Sequence, residues 1–283
     1  MSEIIISADS TCDLSDELKQ RYHVHCRPLH VHLENKIYRD GVDITPEMIY
    51  ETFDKKKILP TTSAPNPQEY IDYFRQWTYQ GHEVIHISLG SGISSSYQNA
   101  KLAAEELGNV YVIDSGNLST GMGALVIEAA ERIAEGMPAN KIYEEVLALK
   151  PKANASFVVN TLTYLRGGGR CSAITAFGAN LLNIKPCIKV NHKDATMTVG
   201  KKYRGSLPVV LKRYVKDLLK DRHDLDLKRL FITHSGTSQE NIVLVKQTIE
   251  AIADFQEIHI TRTGCTIASH CGPNTVGILY MTK

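Results

Sequence analysis

Two stretches of the sequence are crowded with hydroxyl side chains. Residues 61–63 read Thr-Thr-Ser, and four serines, Ser91 and residues 94–96, stand between a buried-type strand and a helix. Capping a helix needs only one hydroxyl. The N-terminus of a helix also presents unpaired N–H groups and a positive potential. The surplus of hydroxyls therefore predicts that these loops bind an anion such as a carboxylate or a phosphate.

Ser94 and His270 could also act together as a nucleophile and a general base. His270 lies in a predicted polar loop over residues 264–275, and a loop of small residues can bring an imidazole to a ligand. The serine stretch contains Gly90-Ser91-Gly92, which is not the G-x-S-x-G elbow of a serine hydrolase. A hydrolase acting on an acyl or phosphate ester, with Ser94 as the nucleophile, stays open as the alternative function.

The glycines of the serine stretch match part of a dinucleotide-binding fingerprint. Gly90 and Gly92 follow a strand, and Asp114 ends the next strand at the spacing of ~20 residues typical of a ribose-binding acid. Ser95 stands where the third glycine should be, and Asp114 leads directly into another Ser/Gly loop. We therefore predict no nicotinamide and no other cofactor. The sequence also lacks the P-loop pattern G-x-x-x-x-G-K-[ST].

Four histidines, His23, His25, His30 and His32, alternate along a predicted strand over residues 23–33. Alternate residues share one face of a strand, so a metal site is one interpretation. No cysteine or carboxylate pattern accompanies them, and we favour a polar sheet face and no metal.

Asp9 and Asp13 lie in the loop after the first predicted strand. They could be paired carboxylates for acid–base chemistry. A solvated loop that caps the next helix is the interpretation that we favour.

The elements that must position these residues are repeats of strand, Gly/Ser loop and helix. Buried-type strands at residues 3–7, 83–88 and 110–114 each run into a polar loop and then a helix. This order is typical of a parallel sheet, whose ligands bind where the carboxyl ends of the strands meet.

The pattern changes near residue 152. Predicted strands follow at residues 157–160, 187–191, 196–203, 230–233, 258–261 and 276–281, with a helix over 173–182. A turn at 192–194 joins two of these strands as a hairpin, which implies antiparallel pairing. We therefore predict two α/β domains. Residues 1–152 form the first, with a parallel sheet and Gly/Ser loops at the strand carboxyl ends, and residues 153–283 form an α+β-like second domain with a mixed sheet.

Composition excludes several classes of protein. The 283 residues carry 32 Lys+Arg and 31 Asp+Glu, a net charge of +1, and 43% are hydrophobic. This balance argues against a nucleic-acid partner, and no apolar run reaches the ~18 residues of a membrane span. The six cysteines form no C-x-x-C pair, and the start of the chain lacks the features of a signal peptide. We expect free thiols and a cytoplasmic protein.

An ordered set of motifs along nearly the whole chain resembles the DegV family of bacterial fatty-acid-binding proteins, which serve a fatty acid kinase. The motifs are Asp9-Ser10-Thr11-Cys12-Asp13-Leu14, Thr62-Ser63-Ala64-Pro65, Gly92-Ile93-Ser94 through Tyr97, Asp114-Ser115, Thr161 to Leu165 ahead of Gly168-Gly169-Arg170, Leu182 to Pro186, and His270-Cys271-Gly272-Pro273-Asn274-Thr275-Val276-Gly277.

The resemblance implies a non-enzymatic carrier that holds one long-chain fatty acid between its two domains. It implies that Thr62 and Ser94 bind the carboxylate, with His270 nearby. Arg170 and Arg204 match positions linked to the acyl-phosphate end and to the partner kinase. Transient membrane contact fits such a role. Besides the hydrolase, a third hypothesis is a regulatory protein that senses a ligand and binds another protein through the basic turn at residues 166–170.

Overall fold

The computed structural model describes residues 3–174 and 184–283. The helix predicted over 173–182 lies outside these residues, except for the short 3-10 turn Ser172–Ile174. Residues 182 and 183 of the Leu182 to Pro186 motif lie outside them too.

The strands of the described residues are, in chain order, β1 (Ile4–Asp9), β2 (His25–Arg27), β3 (His30–Leu33), β4 (Lys36–Arg39), β5 (Thr61–Ser63), β6 (Glu83–Ser88), β7 (Val110–Asp114), β8 (Ala153–Val158), β9 (Ile184–Val190), β10 (Met197–Arg204), β11 (Leu225–Ser235), β12 (Glu257–Arg262) and β13 (Thr275–Thr282). The helices are α1 (Asp16–Arg21), α2 (Pro46–Lys56), α3 (Pro67–Thr78), α4 (Ser96–Leu107), α5 (Ser119–Ala134), α6 (Ala139–Leu149), α7 (Thr163–Gly168), α8 (Leu207–Leu219), α9 (Gln239–Glu250) and α10 (Cys265–Cys271). No helix in this part of the chain is long and apolar enough to cross a bilayer.

The first domain contains a four-stranded parallel sheet in the order β2-β1-β6-β7, which confirms the sequence prediction. One face packs on α5 and α6, and the other on α3 and α4. The polar loops after β1, β6 and β7 therefore meet at one edge of the sheet, since parallel strands end on the same side.

The predicted strand over residues 23–33 is wrong, because it divides into two strands that belong to different sheets. His25 lies on β2 of the parallel sheet, whereas His30 and His32 lie on β3 of a three-stranded antiparallel sheet, β4-β3-β5. Pro28 stands between the two strands and has no N–H for a ladder. The four histidines therefore do not share one face, and the described residues contain no cluster suited to a metal ion.

The second domain contains a six-stranded mixed sheet in the order β10-β9-β8-β13-β11-β12. β9 and β10 pair antiparallel, as the predicted hairpin requires, and β11 and β12 pair in parallel. Helices α8 and α9 cover one face of this sheet. The mixed sheet confirms the predicted fold class. The division at residue 152, immediately before β8, remains our proposal.

Helix α5 lies between the two sheets and is buried along most of its length. It contacts β1 and β6 on one side and β8, β11 and β13 on the other. Its residues 119–127 are all buried, as expected for a helix that is packed on every side. Ile6, Met122 and Phe231 consequently share one hydrophobic core, which joins the domains.

Asp9 ties the carboxyl end of β1 to the neighbouring elements. It is fully buried and accepts hydrogen bonds from Tyr70 Oη at 2.6 Å, Ser88 Oγ at 2.8 Å and the Leu89 N–H at 2.8 Å. His86 Nε2 lies 3.3 Å from Asp9 Oδ1. Burial alone would raise the pKa of Asp9, but the nearby His86 and the hydrogen bonds from Tyr70 and the Leu89 N–H hold that pKa below its ordinary value.

We predict that Asp9→Asn lowers the free energy of unfolding by about 3 kcal/mol, because an amide cannot accept all of these bonds and removes the charge that they stabilise. Urea denaturation followed by circular dichroism measures the change. The matched control is Asp72→Asn, whose side chain is 62% exposed, and we expect it to change stability by less than about 0.5 kcal/mol. An equal effect of the two substitutions would contradict the role of Asp9.

Candidate ligand-binding site

A cavity of about 270 Å³ lies between the two sheets, beyond the N-terminus of α5. Both domains contribute to its walls. The apolar lining residues are Leu29, Ala64, Leu89, Ile93, Leu118, Phe157, Leu165, Met197, Ile267, Cys271 and Leu279. Its volume is close to the lower limit of ordinary small-molecule sites, roughly 300–1,000 Å³.

Four of the five site residues predicted from sequence line this cavity, namely Thr62, Ser94, Arg170 and His270. We call these four residues the polar end of the cavity. Thr62 Oγ1 lies 2.7 Å from His270 Nε2, across the junction of β5 and α10. Ser94 Oγ lies 2.9 Å from Ser96 Oγ and accepts the Ser96 N–H at 3.1 Å. The predicted meeting of the two hydroxyl loops at one cavity is therefore present.

Arg170 is exposed, and its Nη1 donates to the Gly168 carbonyl at 3.0 Å. The turn predicted over residues 166–170 is partly helical, since α7 continues to Gly168. The guanidinium therefore lies at the open, solvent-facing end of the cavity.

Arg204 is not part of this cavity. It is exposed and lines a separate groove of about 570 Å³, which we call the basic groove; its lining is Lys201, Lys202, Tyr203, Arg204, Arg213, Lys216 and Asp217. Met197, at the other end of β10, lines the cavity. Six residues of strand lie between the two, which places them roughly 23 Å apart along the strand.

Two buried carboxylates hold the helix that carries His270. Asp13 Oδ1 accepts the Gly264 N–H at 2.8 Å, and Asp40 Oδ1 accepts the Cys265 N–H at 2.6 Å. The N–H groups at the start of a helix have no partner within the helix, and negative charge is favourable there. Both carboxylates belong to the first domain, so these bonds also join the domains.

This arrangement corrects two sequence predictions. Residues 264–275 are not a loop throughout, because α10 forms over Cys265–Cys271 although small and β-branched residues favour helix weakly. Asp9 and Asp13 are not solvated, since they are 0% and 5% exposed, and Ser15 caps α1 instead. Asp40 was missed altogether, because its partner is more than two hundred residues away in sequence and leaves no local pattern.

The glycines of the partial dinucleotide fingerprint serve packing between the domains. A Cβ on Gly90 would overlap Ala195, and one on Gly92 would lie 2.7 Å from the Asp194 carbonyl oxygen. The Gly92 N–H donates to that same oxygen at 2.8 Å. Asp114 accepts the Ser91 hydroxyl at 2.8 Å. These contacts occupy the groups that a dinucleotide would require.

His270 is a neutral imidazole at pH 7. Burial, with the nearby charge of Arg170, lowers the pKa of His270 to about 4. Its Nδ1 is buried and has no hydrogen-bond partner among the described residues. No carboxylate therefore orients the imidazole as a general base, and its Nε2 faces Thr62 instead of Ser94. This geometry does not support the hydrolase.

The cysteines near His270 are also poor nucleophiles. Burial raises the pKa of Cys265 and of Cys271 to about 12, so both remain thiols at neutral pH. All six cysteines are free, as predicted.

Comparison with known proteins identifies what this architecture is similar to. The family model described as "Uncharacterised protein, DegV family" matches residues 3–283. A DegV domain-containing protein of Clostridium acetobutylicum is 30% identical over 285 residues, the whole of both chains. A fatty-acid-binding DegV family protein of Thermus thermophilus has a TM-score of 0.87 and 29% identity, covering 99% of this chain and 100% of that chain. A stearic-acid-binding protein of Eubacterium ventriosum has a TM-score of 0.82 and 27% identity, covering 100% and 99%.

We predict a pH-dependent stability that depends on His270. In the unfolded chain the imidazole takes up a proton as the pH falls through about 6.5, whereas in the folded protein it stays neutral to about pH 4. The unfolded state therefore binds more protons in this window, and stability falls as the pH falls. From about pH 7.5 to about pH 4.5, the free energy of unfolding of the native protein should fall by about 2–3 kcal/mol more than that of His270→Gln. Urea denaturation at each pH measures these free energies.

The control for this titration is His223→Gln, which replaces an exposed histidine. It should follow the pH dependence of the native protein. Parallel curves for the native protein and His270→Gln would mean that His270 takes up its proton equally in both states.

Proposed function

The chain belongs to the DegV family, and we propose that it is a carrier that binds one long-chain fatty acid in the cavity between its two domains. The observation that carries this proposal is a cavity with eleven apolar lining residues whose wall also carries hydroxyl groups, the imidazole of His270 and the guanidinium of Arg170. The fatty acids named for the proteins of Thermus thermophilus and Eubacterium ventriosum support the same class of ligand.

The polar end offers hydrogen-bond donors that suit a carboxylate. With the neutral His270 donating its Nε2–H to Thr62 Oγ1, the threonine hydroxyl can donate its own proton to the ligand. Ser94 Oγ accepts the Ser96 N–H, so its own hydroxyl proton can serve as a second donor to the ligand. Arg170 adds a positive charge at the open end, which favours the carboxylate there.

The tail supplies most of the affinity. Burying ~15 methylene groups at ~0.8 kcal/mol each contributes about 12 kcal/mol before losses. Ordering the chain and losing translational freedom removes several kcal/mol of this. A net binding free energy of ~8 kcal/mol remains, which corresponds to a dissociation constant near or below about 1 μM.

We further propose that a separate ATP-dependent kinase phosphorylates the carboxylate that this carrier presents, as a step of phospholipid metabolism. The open position of Arg170 and the positive charge of the basic groove support an encounter with a phosphate-bearing partner. The free thiols fit a reducing cytoplasm, and transient membrane contact would give access to fatty acids.

Native mass spectrometry of the purified protein tests the proposed ligand. We expect one noncovalent fatty acid per chain, released on denaturation. A covalent acyl adduct on Ser94 would instead support the hydrolase. Absence of bound fatty acid, together with no binding of added palmitate by calorimetry, would contradict the carrier.

Thr62→Ala and Ser94→Ala should each weaken palmitate binding by about 10- to 150-fold, the range for one hydrogen bond to a charged group. The double variant should lose less than the product of the two effects if both hydroxyls bind one carboxylate. Calorimetric titration measures these constants, with thermal denaturation as a check of folding.

Two matched controls lie beside these residues. Thr61 precedes Thr62 on β5 and is exposed, and Ser91 precedes Ser94 but donates to Asp114 outside the cavity. Thr61→Ala and Ser91→Ala should retain native affinity. If folded Thr62→Ala and Ser94→Ala proteins bind palmitate as tightly as these controls, the carboxylate site lies elsewhere.

The two arginines should differ in a coupled assay with the cognate kinase and ATP. Arg204→Ala should keep palmitate affinity and lower acyl-phosphate formation, because Arg204 lies in the basic groove. Arg170→Ala should weaken binding as well, because Arg170 lines the cavity. Lys141→Ala, an exposed change on α6, is the control. Full turnover by Arg204→Ala would remove the basic groove from the kinase encounter.

A further inference from the structure

Cys12 and Cys26 lie in contact in the first domain, with their Sγ atoms 3.8 Å apart. Cys12 ends the 3-10 turn Ser10–Cys12 after β1, and Cys26 lies on β2, beside Ala8 of β1 in the parallel register. The parallel sheet therefore brings together two thiols that are 14 residues apart in the chain. A disulfide bond is about 2.05 Å long, so the sulfurs need to approach by roughly 1.8 Å to form one.

The turn at Cys12 is held tightly, whereas β2 is free to move. Cys12 is 1% exposed, and a Cβ on Gly123 would lie only 2.7 Å from the Cys12 carbonyl oxygen, so the turn packs directly on α5. Strand β2 has three residues and stands at the edge of the parallel sheet. Segments with few buried contacts open and shift most easily. We therefore expect Cys26 to supply most of the movement.

The environments of the two sulfurs differ. Cys26 is partly exposed, whereas the other five cysteines are buried. The hydrogen bond from the Cys12 thiol and the charge of the Lys19 ammonium lower the pKa of Cys26. The bond that Cys12 donates, together with burial, raises the pKa of Cys12 well above its ordinary value. Cys26 is therefore suited to be the reactive thiolate, with Cys12 as the neighbouring thiol that resolves it.

We propose that Cys12 and Cys26 are a modification site, which a peroxide converts into a reversible disulfide. In the first step the Cys26 thiolate attacks one oxygen of hydrogen peroxide. An S–O bond forms, the O–O bond breaks and hydroxide leaves, so that the sulfur is oxidised to a sulfenic acid and the peroxide is reduced. In the second step the Cys12 sulfur attacks the Cys26 sulfur. The S–S bond forms as the S–O bond breaks, and the Cys12 proton leaves with the hydroxyl group as water.

The disulfide protects Cys26 while the fold around it stays in place. A sulfenic acid without a partner thiol is oxidised further to a sulfinic acid, which is irreversible in most proteins, whereas a low-molecular-weight thiol reduces a disulfide by exchange. Ser10 of the same turn donates to Asp40 at 2.8 Å, and Asp13 follows the turn directly. Because β2 moves and the turn remains on α5, these two carboxylates continue to hold α10. Transient disulfides of this kind occur in reducing compartments.

The test is treatment of the native, folded protein with excess hydrogen peroxide, followed by a count of thiols in denaturant. The protein should lose two of its six thiols and regain both with dithiothreitol. Trypsin cleaves after Lys19 and Arg21, which places the two cysteines in separate peptides. Mass spectrometry without reduction should find these two peptides joined, at a mass two hydrogens below their sum.

Three variants complete the test, with circular dichroism as the check of folding. Cys12→Ser should stop at the first step, so that dimedone labels Cys26 and sulfinic acid then accumulates there. Cys26→Ser should keep all of its remaining thiols, and it decides the question if Cys12→Ser does not fold. The matched control is Cys187→Ser, which removes a buried cysteine whose pKa burial raises to about 11, and it should still form the disulfide.

Three outcomes would overturn the proposal. One is native protein that retains all six thiols under the peroxide treatment. The second is native protein in which Cys26 is oxidised to sulfinic acid without a linked peptide. The third is a dimer joined through Cys26 of two chains on non-reducing electrophoresis. None of these measurements requires a bound fatty acid, so their result is independent of the proposed carrier function.

Discussion

The candidate site depends on buried carboxylates of the first domain that accept backbone N–H groups. Asp13 and Asp40 hold the first N–H groups of α10, and with them the position of His270 beside Thr62. Asp9 holds the Leu89 N–H, and with it the start of the loop that leads to Ser94. A buried carboxylate is costly unless hydrogen bonds satisfy it, so each of these bonds is difficult to give up. The polar end is consequently fixed before any ligand binds.

Contact between the domains explains features that would otherwise suggest chemistry. The turn between β9 and β10 packs against the loops that follow β6 and β7, where Gly90 and Gly92 in the first loop and Gly116 in the second leave room for it. Helix α5 fills the space between the two sheets. Its N-terminus lies at the cavity, where Leu118 and Ser119 line the wall. The cavity is therefore the part of the domain interface that neither α5 nor this turn fills. Its shape follows from how two rigid sheets are held apart.

Sequence reasoning located the parts that local pattern encodes. The strands of the parallel sheet and the hairpin of the second domain were predictable, because hydrophobic runs and Gly/Ser loops mark them. The grouping of Thr62, Ser94 and His270 came from the resemblance to the DegV family. The roles of Asp13 and Asp40 were not predictable, because their partners belong to the far end of the chain. Helix α10 was missed for a related reason. Its residues favour helix weakly, and its N-terminus is stabilised by Asp13 and Asp40 of the other domain. The division of residues 23–33 between two sheets depends on which neighbours each half meets, although Pro28 signalled an interruption.

The choice of groups at the polar end fits a protein that must bind its ligand and also present it. In the proposed carrier the hydroxyls of Thr62 and Ser94 would donate to the carboxylate, and His270 would orient the Thr62 hydroxyl. The one cation among the four polar-end residues, Arg170, is exposed to water. A fully buried cation would hold the carboxylate through a strong, poorly screened interaction, and its removal would leave an uncompensated buried charge. An exposed guanidinium is screened by solvent and can turn toward a phosphate when one approaches. Affinity in the proposed carrier would come mainly from the apolar tail, which has no part in the chemistry of the carboxylate. The proposed function would thereby separate tight binding from a reactive, accessible head group along one cavity.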